Sequence, residues 1–295
     1  MNAKDFDQFY TQDSVAETCL EMTLDFLKKS DIENPFFFEP SAGDGAFLRA
    51  LKKENKKYFA CDIEPRSEEI LQADFLQTDL IHQLKISAKK NKIIVIGNPP
   101  FGKKGKSASA FINRAFLYSD TVAFVLPIQF NKYSGHNQII KEAKLILNEP
   151  LPHESFVFMG KPYAVRCCFQ IWTTAGTPLK DLRIKNSPIT KHEDFEMWQY
   201  NCTEEALKFF DKERYKWDFA VARQGFKDYS VKETDPEKLD RRIQWIFFRA
   251  KNKEILERLK KIDFVKLSLK NSTIPGFGKA DVVEYYTKLY QETNT

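Results

Sequence analysis

No stretch of this chain approaches the roughly 18 consecutive apolar residues that a membrane-spanning helix needs. The Met1-Asn2-Ala3-Lys4-Asp5 start has no apolar core of a secretory leader, so residence in the cytoplasm, away from membranes, is the expectation. Cysteine is sparse: Cys19, Cys61, Cys167, Cys168 and Cys202 are odd in number and lack CxxC spacing. That pattern speaks against a disulfide framework and against a zinc site, and the thiols are read as reduced and mostly buried. His82, His136, His153 and His192 are scattered, none at ligand spacing with another His or a Cys, so no metal is expected. Internal repeats, low-complexity tracts and nuclease or helicase motifs are missing too.

What is present is a soluble composition, 42% hydrophobic and 29% charged with 26 Phe, which supplies apolar mass for a sizeable core. At 295 residues the chain exceeds the usual single-domain size, and two lobes are expected. The net charge is +5, with most of the surplus beyond residue 176. So mild an excess permits nucleic-acid binding without establishing it, because phosphate affinity depends on clustered charge.

Apolar spacing predicts a helix over 13–29, with Asp13 or Ser14 as its N-cap. Pro35-Phe36-Phe37-Phe38 reads as a strand buried on both faces. Helical spacing resumes over 46–53, and strands are predicted at 57–61 and, shorter, within 70–75. Ile93-Ile94-Val95-Ile96-Gly97 is the strongest strand signal; a helix over 109–118 and a strand at 121–127 follow. Val165 to Trp172 reads as a late strand, expected to pair antiparallel with Ser155 to Met159. The alternation predicts an α/β fold with a doubly wound, mostly parallel sheet, whose ligands sit beyond the C-terminal ends of the strands. The turn-rich Thr174-Ala175-Gly176-Thr177-Pro178 marks the expected lobe boundary, giving residues 1–175 and a smaller α+β lobe over 176–295. Strand-like Trp217 to Val221 and helix-like Asn252 to Ile262 fall in the latter.

Two segments carry chemistry. The first strand ends in Glu39-Pro40-Ser41-Ala42-Gly43-Asp44-Gly45, a glycine turn that lets backbone approach a ligand closely. The carboxylates of Glu39 and Asp44 would repel a pyrophosphate, which favours a cationic ligand. S-adenosylmethionine fits, with its sulfonium and ammonium, and Asp62 after the next strand is placed to accept hydrogen bonds from ribose hydroxyls. A dehydrogenase is disfavoured because Leu48 stands where the third glycine of GxGxxG would be. The second segment is Asn98-Pro99-Pro100-Phe101. Its Asn side-chain oxygen and Pro99 carbonyl supply acceptors for an amine, its prolines stiffen the loop and remove their own N–H groups, and Phe101 offers a ring for a base.

With both segments in view, the chain resembles the amino-methyltransferases of nucleic acids, in particular the adenine-specific (N6-amino) DNA methyltransferases in which the cofactor motif precedes the catalytic one. Glu39 to Phe47 is similar to the family's cofactor loop and Asn98-Pro99-Pro100-Phe101 to its catalytic tetrapeptide. Gln8-Phe9-Tyr10-Thr11 resembles its N-terminal cofactor segment, Asp74-Phe75 the pair holding the cofactor adenine, and Val125-Leu126-Pro127 a later sheet motif. The resemblance spans residues 8 to 172 in family order, and the C-terminal lobe is not covered by it. It implies a Rossmann-like class I methyltransferase fold with S-adenosyl-L-methionine as cofactor. The implied cofactor-binding set is Tyr10, Thr11, Glu39, Pro40, Ser41, Gly43, Asp44, Gly45, Phe47, Asp62, Ile63, Asp74, Phe75 and Asn98; the catalytic set is Asn98, Pro99, Pro100 and Phe101.

The activity so implied is methylation of the exocyclic amine of adenine by direct transfer to a flipped-out base, with DNA preferred over RNA and residues 176–295 recognising the target. Lys103, Lys104 and Lys106, and on the second lobe Arg241 and Arg242, are candidate phosphate contacts, against the plainer reading of solvated surface charge. Three alternatives stand beside it. An RNA adenine methyltransferase would share the site; a protein glutamine methyltransferase usually carries Tyr in place of Phe101; and a silent cofactor-binding subunit would have no need of an intact tetrapeptide.

Overall fold

The computed structural model describes residues 10–88, 91–158, 161–270 and 274–290, without the side chains of residues 104, 158 and 162. Gln8, Phe9 and Met159 lie outside the described residues. Two compact units divide the chain, Met1–Lys185 and Asn186–Thr295. Among the described residues no helix is long and apolar enough to cross a membrane.

The first unit is built on a seven-stranded sheet. Its strands are β1 (Phe36–Glu39), β2 (Lys57–Asp62), β3 (Leu71–Gln72), β4 (Ile93–Gly97), β5 (Thr121–Pro127), β6 (Lys144–Pro150) and β7 (Cys167–Thr173), in the spatial order β3-β2-β1-β4-β5-β7-β6. Pairing is parallel from β3 to β5, and β7 runs antiparallel to both β5 and β6. This is a Rossmann-like, doubly wound and mostly parallel arrangement. The chain winds outward from β1 through β3, then returns to start again at β4 beside β1. The β1–β4 seam is therefore the topological switch point, where open α/β sheets bind ligands.

Strand alternation explains why both faces are covered. Phe37, Ile94, Ile96, Ala123 and Val125 pack with α1 (Asp13–Lys29) and α2 (Ala46–Lys53) through Val15, Cys19, Leu27, Phe47 and Leu51. Phe36, Phe38, Val95, Val122 and Phe124 face the other way, toward Leu84 of α3 (Ile81–Ala88) and Phe111 and Ile112 of α4 (Lys106–Ala115). An uninterrupted apolar strand with residues of period two on opposite faces is what such a double layer demands.

Several local expectations change. The α1 N-cap is Gln12, whose backbone is extended, and Asp13 is already the first helical residue, its carboxylate accepting from Arg49 at 2.6–3.1 Å. Helix α4 begins three residues before Ser109. Strand β7 does not pair with the segment after Ser155; it lies between β5 and β6, and Phe156–Phe158 joins Tyr10–Thr11 and Lys161–Tyr163 in a small separate sheet. Seven consecutive buried residues in β7 need a neighbour on each side, and β6, half-buried and edged by charge, supplies one.

The first unit also continues past the turn at 174–178. Leu182 N–H donates to Leu145 O at 2.7 Å, and the Arg183 guanidinium donates to the carbonyls of His136, Ile139, Ile140, Lys141 and Ala143 at 2.6–3.3 Å. His136 Nδ1 accepts from the Ile184 N–H at 2.9 Å, and burial together with the Arg183 charge pushes its pKa down to about 4. These bonds lie within the unit Met1–Lys185, which meets the second unit at Asn186.

The second unit is α+β. Its antiparallel sheet has β8 (Phe195–Tyr200) and β9 (Phe219–Ala222) on either side of β10 (Trp245–Ala250). One face carries Phe195, Val221, Ile246 and Phe248 against α5 (Lys253–Lys260), α6 (Phe264–Leu269) and α7 (Lys279–Tyr290). The other buries Trp217, Trp245 and Phe247. Asn252 caps α5 through Ile255 N–H at 2.9 Å.

Candidate active site

At the switch point, the residues that leave β1 and β4 converge on one cavity of about 370 Å³, a size suited to a small organic ligand. Pro40 to Asp44, Asn98 to Phe101, Tyr10, Thr11, Phe47, Asp62, Ile63, Asp74 and Phe75 all line it, with Glu39 at its floor. Two segments 59 positions apart meet here because β1 and β4 are parallel neighbours ending at the same level. The Ser41 hydroxyl donates to the Asn98 carbonyl at 3.2 Å and ties the two loops together.

Glu39 dominates the electrostatics. It is 2% exposed, and its Oε2 has no hydrogen-bond partner among the described residues. Burial first, then the nearby charges of Asp62 and Asp44, hold its carboxyl well above the usual carboxylate range; the Arg49 guanidinium offsets this only in part. That guanidinium is committed to Asp13 and to the Asp44 carbonyl, the latter at 2.6 Å. Directly behind Glu39 is Gly97, at φ +152°, where an added Cβ would lie 3.2 Å from Glu39 Cγ.

Asp62 terminates β2 and accepts from two backbone N–H groups, Gly43 to Oδ2 and Glu64 to Oδ1, each at 2.8 Å. Both carboxylate oxygens keep a lone pair for a further donor. Asp74 similarly accepts from Leu76 N–H at 2.9 Å. Phe75 is 2% exposed and packs against Phe38, Phe111 and Tyr118 with centroids 5.1–5.7 Å apart, so it forms the cavity wall as part of the core. The Phe101 ring meets the edge of buried Phe156 at 6.2 Å and 84°, and Ala108 N–H donates to its carbonyl at 3.3 Å, fixing the tetrapeptide to the start of α4.

Not every sequence candidate joins this group. Gly45 is outside the lining: it is the left-handed N-cap of α2 at φ +84°, and its part is to turn the chain. Lys103 and Lys106 are exposed on the turn and first residue that follow the tetrapeptide, and the Lys104 side chain lies outside the described residues. Arg241 and Arg242 belong to the second unit, where Arg242 pairs with Asp240 at 2.9 Å and the Arg241 guanidinium sits 5.5 Å above Phe210. Conversely, Glu64, Leu76, Ser107 and Phe111 line the cavity without having been singled out. Ser107 and Phe111 are four apart on α4, a spacing that puts them on one helix face.

No protein-family model matches this sequence, and no curated protein does either. Solved structures of similar fold include a proposed RNA methyltransferase from Pyrococcus horikoshii, at 17% identity and TM-score 0.42 over 59% of this chain and 89% of that one. TrmN from Thermus thermophilus aligns at 12% identity and TM-score 0.37, over 55% of this chain and 48% of its own. A proposed ribosomal RNA methyltransferase from Plasmodium falciparum aligns at 13% identity and TM-score 0.34, over 54% and 95%. Each is similar in fold to part of this chain, and fold alone carries no substrate.

Proposed function

We propose that the first unit is an S-adenosylmethionine-dependent methyltransferase acting on the exocyclic amine of an adenine in nucleic acid. The observation that carries this reading is the shared cavity: the acceptor-rich Asn98–Phe101 loop and the acidic cluster of Glu39, Asp62 and Asp74 face the same space. A buried carboxylate with an unpaired oxygen and no committed cation beside it fits a positively charged ligand, since a bound cation would offset the cost of ionising it. S-adenosylmethionine meets that requirement, supplying a methyl group activated by its sulfonium.

The chain's own residues divide the work. Glu39 holds positive charge, Asp62 accepts from ribose hydroxyls, and Asp74 with Phe75 borders the purine. An adenine amine is a weak nucleophile because its lone pair is delocalised into the ring. Acceptors at Asn98 Oδ1 and Pro99 O engage its two hydrogens, concentrate electron density on nitrogen and align it for displacement. With S-adenosylmethionine held by Glu39 and Asp62, its activated methyl group would pass directly to the amine nitrogen, and the amine's surplus proton would leave to water past the Asn98 and Pro99 acceptors. No covalent enzyme intermediate is involved. The stiff Pro99-Pro100 pair keeps the acceptors in place, and the Phe101 ring supports the base.

The motif set favours DNA as the polymer. RNA is the second reading, because relatives in fold carry RNA methyltransferase descriptions. Transfer of labelled methyl to duplex DNA, single-stranded DNA and total RNA in parallel, followed by nucleoside analysis, tests both. Methyladenine in DNA supports the first reading and methyladenine in RNA alone the second. Cofactor binding without product in any pool would point to a silent subunit or a protein substrate.

A further inference from the structure

The strands of the second unit end together in polar side chains. Tyr200 and Ala222 both pair with Trp245, so the residues just beyond, Asn201, Arg223 and Gln244, share one end of the sheet. They are joined there: Arg223 Nη1 donates to Asn201 Oδ1 at 3.4 Å and to Gln244 Oε1. Arg223 Nε is buried with no hydrogen-bond partner among the described residues.

From this end projects Phe226, at 86% the most exposed large apolar side chain of the described residues. Its backbone is tied down. Gly225, at φ +98°, donates to Pro275 O at 2.9 Å, and Lys227 N–H closes onto Gly225 O at 3.0 Å, which sets Phe226 at the apex of a three-residue turn. Buried Tyr229 braces it, its hydroxyl 2.6 Å from Gly225 O and 2.8 Å from Pro275 O. Folding gains nothing from an aromatic ring left in water, yet the turn that presents it is held at several points. Charge around the loop is mixed: Lys227 lies near Asp240, which pairs with Arg242, while Asp228 follows on the same loop and Asp281 lies near Arg223.

We infer that this end of the sheet is a base-contacting element, with Phe226 stacking on an exposed nucleobase and the Asn201–Arg223–Gln244 group offering amide and guanidinium atoms to base edges. With the Asn201 and Gln244 oxygens taken by Arg223, and that of Asn201 by Gln199 too, the amide and guanidinium N–H groups are what can donate to acceptors on base edges, and an aromatic ring stacks on any base. The inference rests on the nucleic-acid reading above and names a surface that would contact the polymer.

The test uses the full chain with F226A and F226W, compared with wild type by fluorescence anisotropy on labelled duplex DNA, single-stranded DNA and RNA of mixed sequence. F226A is expected to weaken the best-bound polymer on the order of tenfold, with melting temperature and S-adenosylmethionine affinity unchanged. F226W should retain binding and show an emission change on adding polymer that wild type lacks. Unchanged affinity of F226A for every polymer overturns the inference, as does wild type binding none of them, which would turn the loop toward a protein partner. A loss of binding in F226A without methyl transfer by wild type upholds this element while overturning the proposed reaction; transfer with unimpaired F226A does the reverse.

Discussion

Gly97 and Glu39 stand back to back across the β1–β4 seam, so close that a single methyl group on Gly97 would press on the Glu39 side chain at 3.2 Å from Cγ and 3.4 Å from Oε1. The last residue of β4 thereby sets how deep the acidic floor of the cavity lies, and it does so one residue before Asn98. Gly97→Ala is expected to destabilise the fold by about 1–3 kcal/mol, from strain at its positive φ. It should also weaken cofactor binding as Glu39 shifts. Urea denaturation and calorimetric titration of S-adenosylmethionine check the two effects separately, and a variant unchanged in both would remove the coupling.

Glu39 gives a pH signature. Its folded-state pKa is raised, so between the ordinary carboxylate range and that higher value the folded state keeps a proton that the unfolded state has released. Stability contributed at low pH is therefore lost as pH rises through this window. Glu39→Gln should flatten the fall and be the more stable protein at the alkaline end when no ligand is present. Cofactor binding should release a proton from the wild type in the same window, seen as a dependence of calorimetric heat on buffer ionisation enthalpy, and Glu39→Gln should lose both that release and much of the affinity.

For the tetrapeptide, the expected outcome splits binding from turnover. Asn98→Ala removes an acceptor from the reacting amine while leaving the acidic cluster intact, so transfer should fall on the order of 100-fold or more with cofactor affinity little changed. Single-turnover rates beside equilibrium titration measure this. Near-normal turnover would refute the assigned role.

Asp62→Ala should cost on two counts. The carboxylate accepts from Gly43 and Glu64, so its loss leaves two N–H groups without their partner and destabilises the turn by about 1–3 kcal/mol. Cofactor affinity should fall as well. Asp62→Asn, which retains one acceptor oxygen, should recover part of the stability and less of the affinity; a variant that loses stability alone would mark Asp62 as a turn brace only.

Both cavity-lining segments were legible in the sequence because each follows an unbroken apolar run, Phe36-Phe37-Phe38 or Ile93 to Ile96, and a doubly buried strand that stops at polar residues marks the end of a sheet strand where open α/β sheets place their clefts. Strand β6 was not. Lys144, Glu149 and its half-buried middle dilute the apolar signal, and without it the late strand β7 was assigned the wrong partner. Ser107 and Phe111 share a face only because α4 begins at Lys106, and the Lys103–Lys106 run carries no apolar spacing that marks that start. The unit boundary could not be read locally either: Gly176 and Pro178 look like a seam, whereas the attachment that matters is made by one guanidinium to carbonyls some forty residues earlier.

That guanidinium governs where the chain could be recombined. A crossover in the inviting turn at 174–178 would discard Arg183 and leave five carbonyl oxygens between His136 and Ala143 without its donors, while His136 Nδ1 would lose the Ile184 N–H. A junction after Lys185 severs none of these bonds. Lineages trading one C-terminal unit for another would keep viable products only from the later splice, so a short arginine-bearing tail would travel with the first unit as part of its inheritance.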